Sequence, residues 1–549
     1  MPGLISRKRL HPLGFSVLAV AIGSFAFVQK ERTEARQFHL PAMFSDHMVL
    51  QEKTLAKVWG KARPGRKIRI SADWKGFEEP VSAVADESGN WHAFIETPAA
   101  GGPYELRVGR GKIRDVMVGQ VWLAAGQSNM QMSLSAAEDA EKEIAKADHP
   151  EIRFFKVKRI PQAQPAGFCE GEWIVCTPET APKQSAVSYF FAETLQRELG
   201  NETPVGVLVS AWGSTAIESW IPRPELEKIA PDRSVFEYHD SLSAQPYDPE
   251  TAFAEYESAM ADWLENPLRE SGRKKLKPQK PLPHAQHQSR PGNLFNGMIH
   301  PLAPYSVAGA IWYQGESNTA LAPAEPVCYP AENYGRFLCT LFECWSKCWE
   351  LPQQERRLPF LVVQLPRIGD RIDHPGVAAE KSGWAVVRAG QQSAAGAFPD
   401  SVRLISTIDL PIESRGDIHP KAKRPVGERL ALAALRSVYG RDLTACGPIP
   451  SRAVREGNSI RLLFSETGHG LAILDDAEVI GGFTLAPENG IFHRATARIE
   501  GETVLVESKY CPHPVFVRYG WEDHPACNLG NRNGFSTAPF VRRISGKTN

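Results

Sequence analysis

The sequence predicts an α/β protein that carries additional β regions at both ends. Five near-continuous apolar runs between residues 116 and 410 alternate with helical patterns, which is typical of a parallel sheet covered by helices. Shorter apolar runs separated by Gly, Pro and Asn turns precede and follow this middle region, as in antiparallel β domains. With 549 residues the chain exceeds the length of one domain, so several domains are expected.

The first 28 residues have the composition of an export signal. A basic segment containing Arg7, Lys8 and Arg9 precedes an uncharged apolar stretch from Leu13 to Val28. This order predicts a secretory signal peptide, and an uncleaved N-terminal anchor is the alternative. We therefore expect export to the periplasm, the cell surface or the medium, with no membrane contact unless the segment is an anchor.

Residues 36–115 are predicted to form an antiparallel β-sandwich, because KVWGKARPGRKIRIS, DESGNW and AAGGPYELRV alternate short strands with turns. The parallel strands are expected in VMVGQVWLAAG, TPVGVLVSAW, VAGAIWYQG, LPFLVVQL and VRLISTIDL. Helices are expected in AVSYFFAETLQRELG, ending at Gly200, and in VGERLALAALRSVYG, ending at Gly440. The α/β domain then consists of residues 116–221 and 291–443.

Residues 222–290 interrupt the α/β pattern and are predicted to be an insertion or lid with an exposed linker. An amphipathic helix contains Phe253, Tyr256, Met260 and Trp263, and the basic, Pro-rich run RKKLKPQKPLP follows it. Residues 444–549 return to short strand-like runs with Gly, Asn and Pro turns, which predicts a second β domain.

Charge and cysteine content narrow the possible functions. The 63 basic residues balance the 63 acidic ones, which argues against a dedicated nucleic-acid binder. Nine cysteines in an exported chain leave at least one unpaired. Cys339, Cys344 and Cys348 suggest either a metal site or a packed helix, and the spacing of FLCTLFECWSKCWE favours the helix.

Residues whose side chains or backbone groups could take part in catalysis follow separate apolar runs. Ligands of an open α/β sheet bind outside the carboxyl ends of its strands. Ser128 in GQSN follows the first run, at a strand-to-helix turn where its hydroxyl could act as a nucleophile. Ser and Asn are also ordinary helix-capping residues, which is the structural alternative. Gly213 and Ser214 follow the second run, where free backbone N–H groups or a tight turn are expected.

The third run and the last segment add an amide, two carboxylates and a histidine. Gln314 has an amide that could stabilise an oxyanion, and Glu316 is either functional or a structural acceptor. His419 lies in a loop with Asp417 two residues earlier, which suits a general base, although a lone histidine is often structural. The combination of Ser, Gly, Gln and His after separate buried strands favours a catalytic site.

Four motifs occur in a fixed order: GQSNM, then WGSTAIESW, then NGMIHPL with IWYQGESN, and finally DIHPKAK followed by GERLA. Together they resemble the sialate O-acetylesterase family, a branch of the SGNH-type hydrolases. FHLPAMFSDHMVLQ and VRYGWEDHPACNLGN also resemble the flanking segments of that family, so the resemblance extends from Phe38 to Phe540. It implies a flavodoxin-like three-layer SGNH hydrolase domain with accessory N-terminal and C-terminal β domains. It also implies removal of O-acetyl groups from carbohydrates without a metal or other cofactor.

The resemblance also implies roles for individual residues. Ser128 matches the nucleophile and His419 the base, and the backbone N–H groups of Ser128 and Gly213 with the side chain of Gln314 match the oxyanion hole. Three further residues beside these positions are candidate substrate contacts: Gln127, Asn129 and Glu316.

Two positions depart from the family pattern. Many SGNH enzymes have an acid three residues before the histidine, where this chain has Gly416, so the group that orients His419 is Asp417, Asp409, Glu413 or a backbone carbonyl. Ser214 stands where the family usually has a second Gly, which is tolerated unless the position needs a positive φ.

The resemblance implies 9-O-acetylated sialic acid as the substrate. Acetylated xylan or another plant or algal glycan is the alternative, because loops such as residues 222–290 set specificity. A non-catalytic carbohydrate-binding protein on the same scaffold is the alternative from another class.

Overall fold

The structure of the protein is a computed structural model that describes residues 38–266, 278, 280–349, 357–372 and 382–544. The predicted export segment, residues 1–28, and most of the basic run RKKLKPQKPLP lie outside the described residues. Within the described ranges, no helix combines the length and the apolar character that a membrane crossing requires.

The N-terminal β region leads directly into the central sheet. Its strands are β1 (Val49–Gln51), β2 (Leu55–Lys61), β3 (Lys67–Ala72), β4 (Val81–Val84), β5 (Asn90–Glu96) and β6 (Gly101–Val108). The next strand, β7 (Gly111–Gly126), pairs with β6 at its start and with central strands at its end. The predicted boundary between residues 115 and 116 therefore falls inside one continuous strand, at Asp115, whose φ is +53°.

The central sheet contains all five predicted strands. After β7 the chain forms β8 (His149–Val157), β9 (Gly171–Cys176), β10 (Val205–Ala211), β11 (Gly309–Tyr313), β12 (Phe360–Val363) and β13 (Val402–Ile405). Their order is β13-β12-β11-β7-β10-β8-β9, and every pair is parallel except β8 with β9. If the β8-β9 hairpin at the edge is left out and the other five strands are numbered 1 to 5 along the chain, their order across the sheet is 2-1-3-4-5.

Helices cover both faces of this sheet. The described helices of the chain are α1 (Ser128–Gln131), α2 (Ala140–Ala145), α3 (Ala186–Leu199), α4 (Arg223–Ile229), α5 (Ser234–Ser243), α6 (Pro249–Glu265), α7 (Tyr334–Cys348), α8 (Gly383–Ala397) and α9 (Arg424–Ser437), of which α3 and α9 cover one face and α7 and α8 the other. Because successive strand residues point to opposite faces, Trp122 belongs to the core beneath α3 and α9, while Leu123 belongs to the core beneath α7 and α8. A Cβ on Gly427 of α9 would lie 2.5 Å from Phe190 Cβ of α3, so this helix contact requires glycine.

The predicted helices form with small differences. α3 ends at Leu199 before Gly200 as expected, whereas α9 ends at Ser437, three residues before Gly440. The helix of the insertion forms as α6, but none of its side chains is buried, and Phe253 is 39% exposed. The cysteine-containing segment is the predicted amphipathic helix α7, with Cys344 and Trp345 buried on one face. In the described part of the chain, eight cysteines are free thiols: Cys169, Cys176, Cys328, Cys339, Cys344, Cys446, Cys511 and Cys527.

The C-terminal β region has a core of its own. Its strands are β14 (Ile449–Glu456), β15 (Ser459–Ser465), β16 (Leu471–Ile473), β17 (Phe483–Ala486), β18 (His493–Arg494), β19 (Thr496–Glu500), β20 (Thr503–Glu507), β21 (Phe516–Tyr519), β22 (Leu529–Asn531) and β23 (Phe540–Arg543). They form two four-stranded sheets, β14-β15-β20-β19 and β18-β17-β21-β23, and the pair β16-β22. The molecule is thus a mixed α/β protein with a large central sheet and additional β sheets.

Candidate active site

Three of the predicted site segments follow neighbouring strands. Gly126, the last residue of β7, pairs with Ala211 at the end of β10 and with Tyr313 at the end of β11. Because these carboxyl ends coincide, the segments that contain Ser128, Gly213 and Gln314 meet at one edge of the sheet.

Ser128 lies at a sharp strand-to-helix turn. Gly126 has a φ of +139°, and a Cβ there would lie 2.1 Å from the carbonyl oxygen of Tyr313, so only glycine fits. The backbone N–H of Gln127 then donates to the same oxygen at 3.0 Å. α1 begins at Ser128, which leaves its half-buried hydroxyl beside the first backbone N–H groups of the helix.

Ser128 and His419 line one cavity of about 570 Å³. Gly213 lies beside Ser128, since a Cβ on Gly213 would be 3.3 Å from Ser128 Cβ. A larger cavity, of about 790 Å³, lies between β13 and the C-terminal β region, and none of the predicted site residues lines it. The smaller cavity is therefore the candidate active site.

His419 has the protonation state and the free nitrogen that a general base needs. Burial lowers the pKa of His419 below its ordinary value, the Asp417 carboxylate raises it by less, and Lys423 lowers it further. The imidazole is thus neutral at pH 7. Within the described residues, its Nε2 is buried without a hydrogen-bond partner, and no hydrogen bond yet joins it to Ser128. Such bonds often tighten only when substrate binds.

Asp417 is the carboxylate next to His419. Its Oδ1 accepts the backbone N–H of His419 at 2.8 Å and lies 3.7 Å from His419 Nδ1. Asp409 instead accepts two hydrogen bonds from Arg429, at 2.8 and 2.5 Å. Glu413 accepts the backbone N–H of Lys421 at 2.8 Å. Of the three candidates, only Asp417 is placed to favour a proton on Nδ1 and leave Nε2 as the acceptor.

The N–H of Gly213 is occupied by a side chain of the same site. Gln131, the last residue of α1, accepts this N–H with its Oε1 at 2.8 Å and also lines the cavity. An amide oxygen therefore sits where a substrate oxygen would meet Gly213. Sequence analysis missed Gln131, because nothing in GQSNMQM indicates which of its polar side chains turns toward Gly213.

The side chain of Gln314 does not have the predicted position of an oxyanion donor. Gln314 is fully buried, and its Nε2 has three acceptors within 3.1 Å: Gln127 Oε1, Thr215 O and Asn318 Oδ1. Its Oε1 accepts the hydroxyl of Tyr334 at 3.0 Å. Because both amide hydrogens are already used, Gln314 joins the segments after β7, β10 and β11 and has no donor left for a substrate.

The three predicted substrate contacts are also buried beneath the cavity. Gln127, Asn129 and Glu316 are 1%, 0% and 7% exposed, and none lines the cavity. Asn129 Nδ2 donates to Glu316 Oε1 at 2.5 Å, and its Oδ1 accepts from Lys423 Nζ at 2.6 Å. These residues therefore support the site from below, and Lys423 is a buried charge that sequence analysis missed.

The cavity wall is positively charged. Lys156 on β8, Arg159 just after β8, and Lys183 are exposed residues that line it, and none of the lining residues that the structure describes is acidic. The guanidinium of Arg159 lies 5.9 Å from the ring centre of Trp212. In the described part of the chain, none of the three cations is paired with a carboxylate, so a negatively charged ligand would find free partners here.

Among the described residues, no group of three His, Cys, Asp or Glu side chains converges as metal ligands would. The chemistry that the cavity offers is that of a serine, a neutral histidine with a nearby carboxylate, and backbone donors.

The chain was compared with known protein sequences and structures. No protein-family model matches the chain. It is 28% identical to the sialate O-acetylesterase of Mus musculus over 448 residues, 76% of each chain. It is 26% identical to that of Homo sapiens over 453 residues, 77% of this chain and 75% of the relative. The crystal structure of XAC1771, a carbohydrate acetylesterase from Xanthomonas citri, aligns with a TM-score of 0.72 and 33% identity, covering 92% of this chain and 99% of that chain.

The chain is a carboxylic ester hydrolase, in agreement with its fold, the serine and histidine in one cavity and these similarities. The chain belongs to the carbohydrate acetylesterases, and its similarity to curated sialate O-acetylesterases confirms the resemblance found in its motifs.

Proposed function

We propose that the protein is a serine esterase that removes O-acetyl groups from carbohydrates through an acyl-enzyme. The observation that carries this proposal is that Ser128 and the neutral His419, with its free Nε2, line the same cavity. Asp417, 3.7 Å from Nδ1, is the proposed partner that orients the imidazole. The order 2-1-3-4-5 of the main parallel strands supports the flavodoxin-like SGNH assignment of the domain.

In the proposed reaction, Ser128 Oγ attacks the acetyl carbonyl carbon while His419 Nε2 takes the hydroxyl proton. The backbone N–H groups of Ser128 and Gly213 stabilise the resulting oxyanion, once Gln131 has moved from Gly213. When the tetrahedral intermediate collapses, His419 gives its proton to the departing sugar oxygen and acetyl-Ser128 remains. A water molecule, deprotonated by His419, then releases acetate and restores the serine.

The charge of the cavity supports an acidic glycan as the substrate. Lys156, Arg159 and Lys183 would attract the carboxylate of an O-acetylated sialic acid, whereas the neutral backbone of acetylated xylan offers them no charge. We therefore propose O-acetylated sialic acid, with 9-O-acetyl esters as the first candidates, ahead of plant or algal glycans.

Acetate release by the purified protein tests the proposal. We expect release from O-acetylated sialosides in preference to acetylated xylan, and loss of all release in Ser128→Ala. Ser135→Ala is the matched control, because Ser135 is an exposed serine that lines the same cavity. Equal activity of wild type and Ser128→Ala would contradict the serine mechanism, and a preference for xylan would contradict the proposed substrate.

Export is a separate proposal that depends on residues 1–28 alone. The basic and apolar order of this segment supports a signal peptide. Mass spectrometry of the N-terminus of protein recovered from its native source tests it. A mature chain that begins shortly after the apolar stretch is expected, and an intact N-terminus in the cytoplasm would contradict it.

A further inference from the structure

A buried polar chain connects Lys423, Asn129 and Glu316 beneath the cavity. The three side chains are 1%, 0% and 7% exposed. Lys423 Nζ donates to Asn129 Oδ1 at 2.6 Å, and Asn129 Nδ2 donates to Glu316 Oε1 at 2.5 Å. The Asn129 amide thus lies between the Lys423 ammonium and the Glu316 carboxyl group, whose pKa is raised by burial, and nothing in the esterase mechanism above uses that pair.

The same amide joins the two segments that carry the proposed catalytic groups. Asn129 follows Ser128 directly in α1, and its Nδ2 also donates to the backbone oxygen of Ile418 at 2.8 Å. Ile418 precedes His419 directly. One side chain therefore links the turn of the nucleophile to the loop of the base.

Only one orientation of the amide satisfies all its neighbours. An ammonium group is only a donor, a backbone oxygen is only an acceptor, and the Glu316 oxygen that faces the amide accepts from it. If the Asn129 amide were turned over, its NH₂ would face Lys423 and its oxygen would face both Glu316 and Ile418 O. The Lys423 donor and the two acceptors, Glu316 Oε1 and Ile418 O, thus select the orientation in which Asn129 holds the Ile418 oxygen.

We propose that Lys423 and Glu316 are positioning residues of the esterase, which fix the Asn129 amide and thereby hold the His419 loop against the turn of Ser128. The inference rests on the proposed function, because its effect is on the rate of the reaction of Ser128. Neither residue touches the cavity, so the substrate affinity is not expected to depend on them.

The surrounding charges predict how this arrangement responds to pH. Burial lowers the pKa of Lys423 to about 8, against the opposing effects of the carboxylates of Glu316, Glu413 and Asp417. The ring of Tyr313, 5.5 Å from Nζ, and the neutral His419 add no charge at this pH. Above about pH 8 Lys423 becomes a neutral amine, which can accept as well as donate, so it no longer favours one orientation of the amide and kcat should decline.

Variants of Lys423 and Glu316 separate positioning from a purely structural role. Lys423→Met keeps the length of the side chain without its donor. If this single variant fails to fold, the double variant Lys423→Met/Glu316→Gln replaces it, because it leaves no unpaired buried charge. Lys421→Met is the matched control, because Lys421 is an exposed lysine of the same loop.

The test measures kcat, KM and their pH dependence from acetate release, with the rate of fluorophosphonate labelling of Ser128 as a second readout. We expect at least a tenfold lower kcat and labelling rate, an unchanged KM and loss of the decline near pH 8, with Lys421→Met like wild type. Folded Lys423 variants with the kcat, labelling rate and pH profile of wild type would overturn the inference. Failure of wild type to release acetate and to be labelled at Ser128 would instead overturn the proposed function.

Discussion

The backbone N–H of Gly213 donates to the side-chain oxygen of Gln131 at 2.8 Å, beside Ser128. In the proposed mechanism this N–H stabilises the oxyanion, so the Gln131 amide holds the place of the acetyl oxygen in the free protein. The substrate must displace it before the reaction begins.

Removal of this amide should therefore improve catalysis. In Gln131→Ala the Gly213 N–H is free, and a neutral hydrogen bond of about 1 kcal/mol no longer has to be broken. We expect kcat/KM for acetate release to rise about fivefold. Gln131→Glu should lower kcat/KM, because a carboxylate would repel the oxyanion. A tenfold loss in Gln131→Ala would show instead that Gln131 binds the substrate.

Ser214 should be a source of strain, because its φ is +59° in the left-handed region. A side chain in this region costs about 1 to 2 kcal/mol, and glycine adopts it freely. Ser214→Gly should raise the free energy of unfolding by up to about 1 kcal/mol, and the β-branched Ser214→Val should lower it by about 1 kcal/mol or more.

Denaturant unfolding measures both Ser214 variants. Ser135→Gly is the control, since Ser135 is also exposed but has no positive φ, and there glycine should destabilise by about 0.5 to 1 kcal/mol. Destabilisation of Ser214→Gly to the same extent as Ser135→Gly would contradict the argument.

The fall of kcat/KM at low pH, the acid limb of the pH profile, should reflect protonation of His419. A base must be neutral, and burial lowers the pKa of His419, so kcat/KM should fall only below the ordinary histidine value of about 6.5. Because the Asp417 carboxylate raises this pKa, Asp417→Asn should move the limb to still lower pH. Asp417→Asn should also reduce the maximum value of kcat/KM by about tenfold, since the charge that orients His419 is lost.

The pH profiles of two variants check this assignment. Asn in place of Asp417 still accepts the His419 N–H, so the loop is retained. Glu413→Gln, which still accepts the Lys421 N–H, should leave the acid limb unchanged. A shift of the acid limb in Glu413→Gln without one in Asp417→Asn would reverse the roles given to these carboxylates.

The exposed cations of the cavity should affect acidic substrates only. We expect Lys156→Gln and Lys183→Gln to raise KM for an O-acetylated sialoside by about two- to fivefold, with a smaller effect at high salt. KM for a neutral acetylated sugar should not change. Lys158→Gln is the control, because Lys158 is exposed near Lys156 but pairs with Glu170 at 2.6 Å and does not line the cavity. An equal effect on neutral and acidic esters would contradict recognition of a carboxylate.

Much of the central sheet was predictable, because buried parallel strands leave near-continuous apolar runs in the sequence. The boundary within β7 was not, since one strand belongs to both the N-terminal β region and the central sheet. The pattern of a single strand does not indicate which partners it has along its length.

The site was predictable in its segments but not in its side chains. Ser128 and His419 were identified because reactive groups in α/β sheets follow strand ends, and both line the cavity. The orientation of Gln314 depends on Tyr334, and that of Asn129 on Lys423, which is 294 residues away in sequence. Such contacts form only in the folded chain, so amides that look available in the sequence are buried in the structure.

Reaction of the purified protein with a fluorophosphonate, followed by intact-mass measurement and peptide mapping, tests the central claim most directly. An activated serine nucleophile predicts one equivalent of label on Ser128, none in Ser128→Ala and a rate at least a hundredfold lower in His419→Ala. Label on another residue, or equal rates in wild type and His419→Ala, would contradict the assignment of Ser128 and His419 as nucleophile and base.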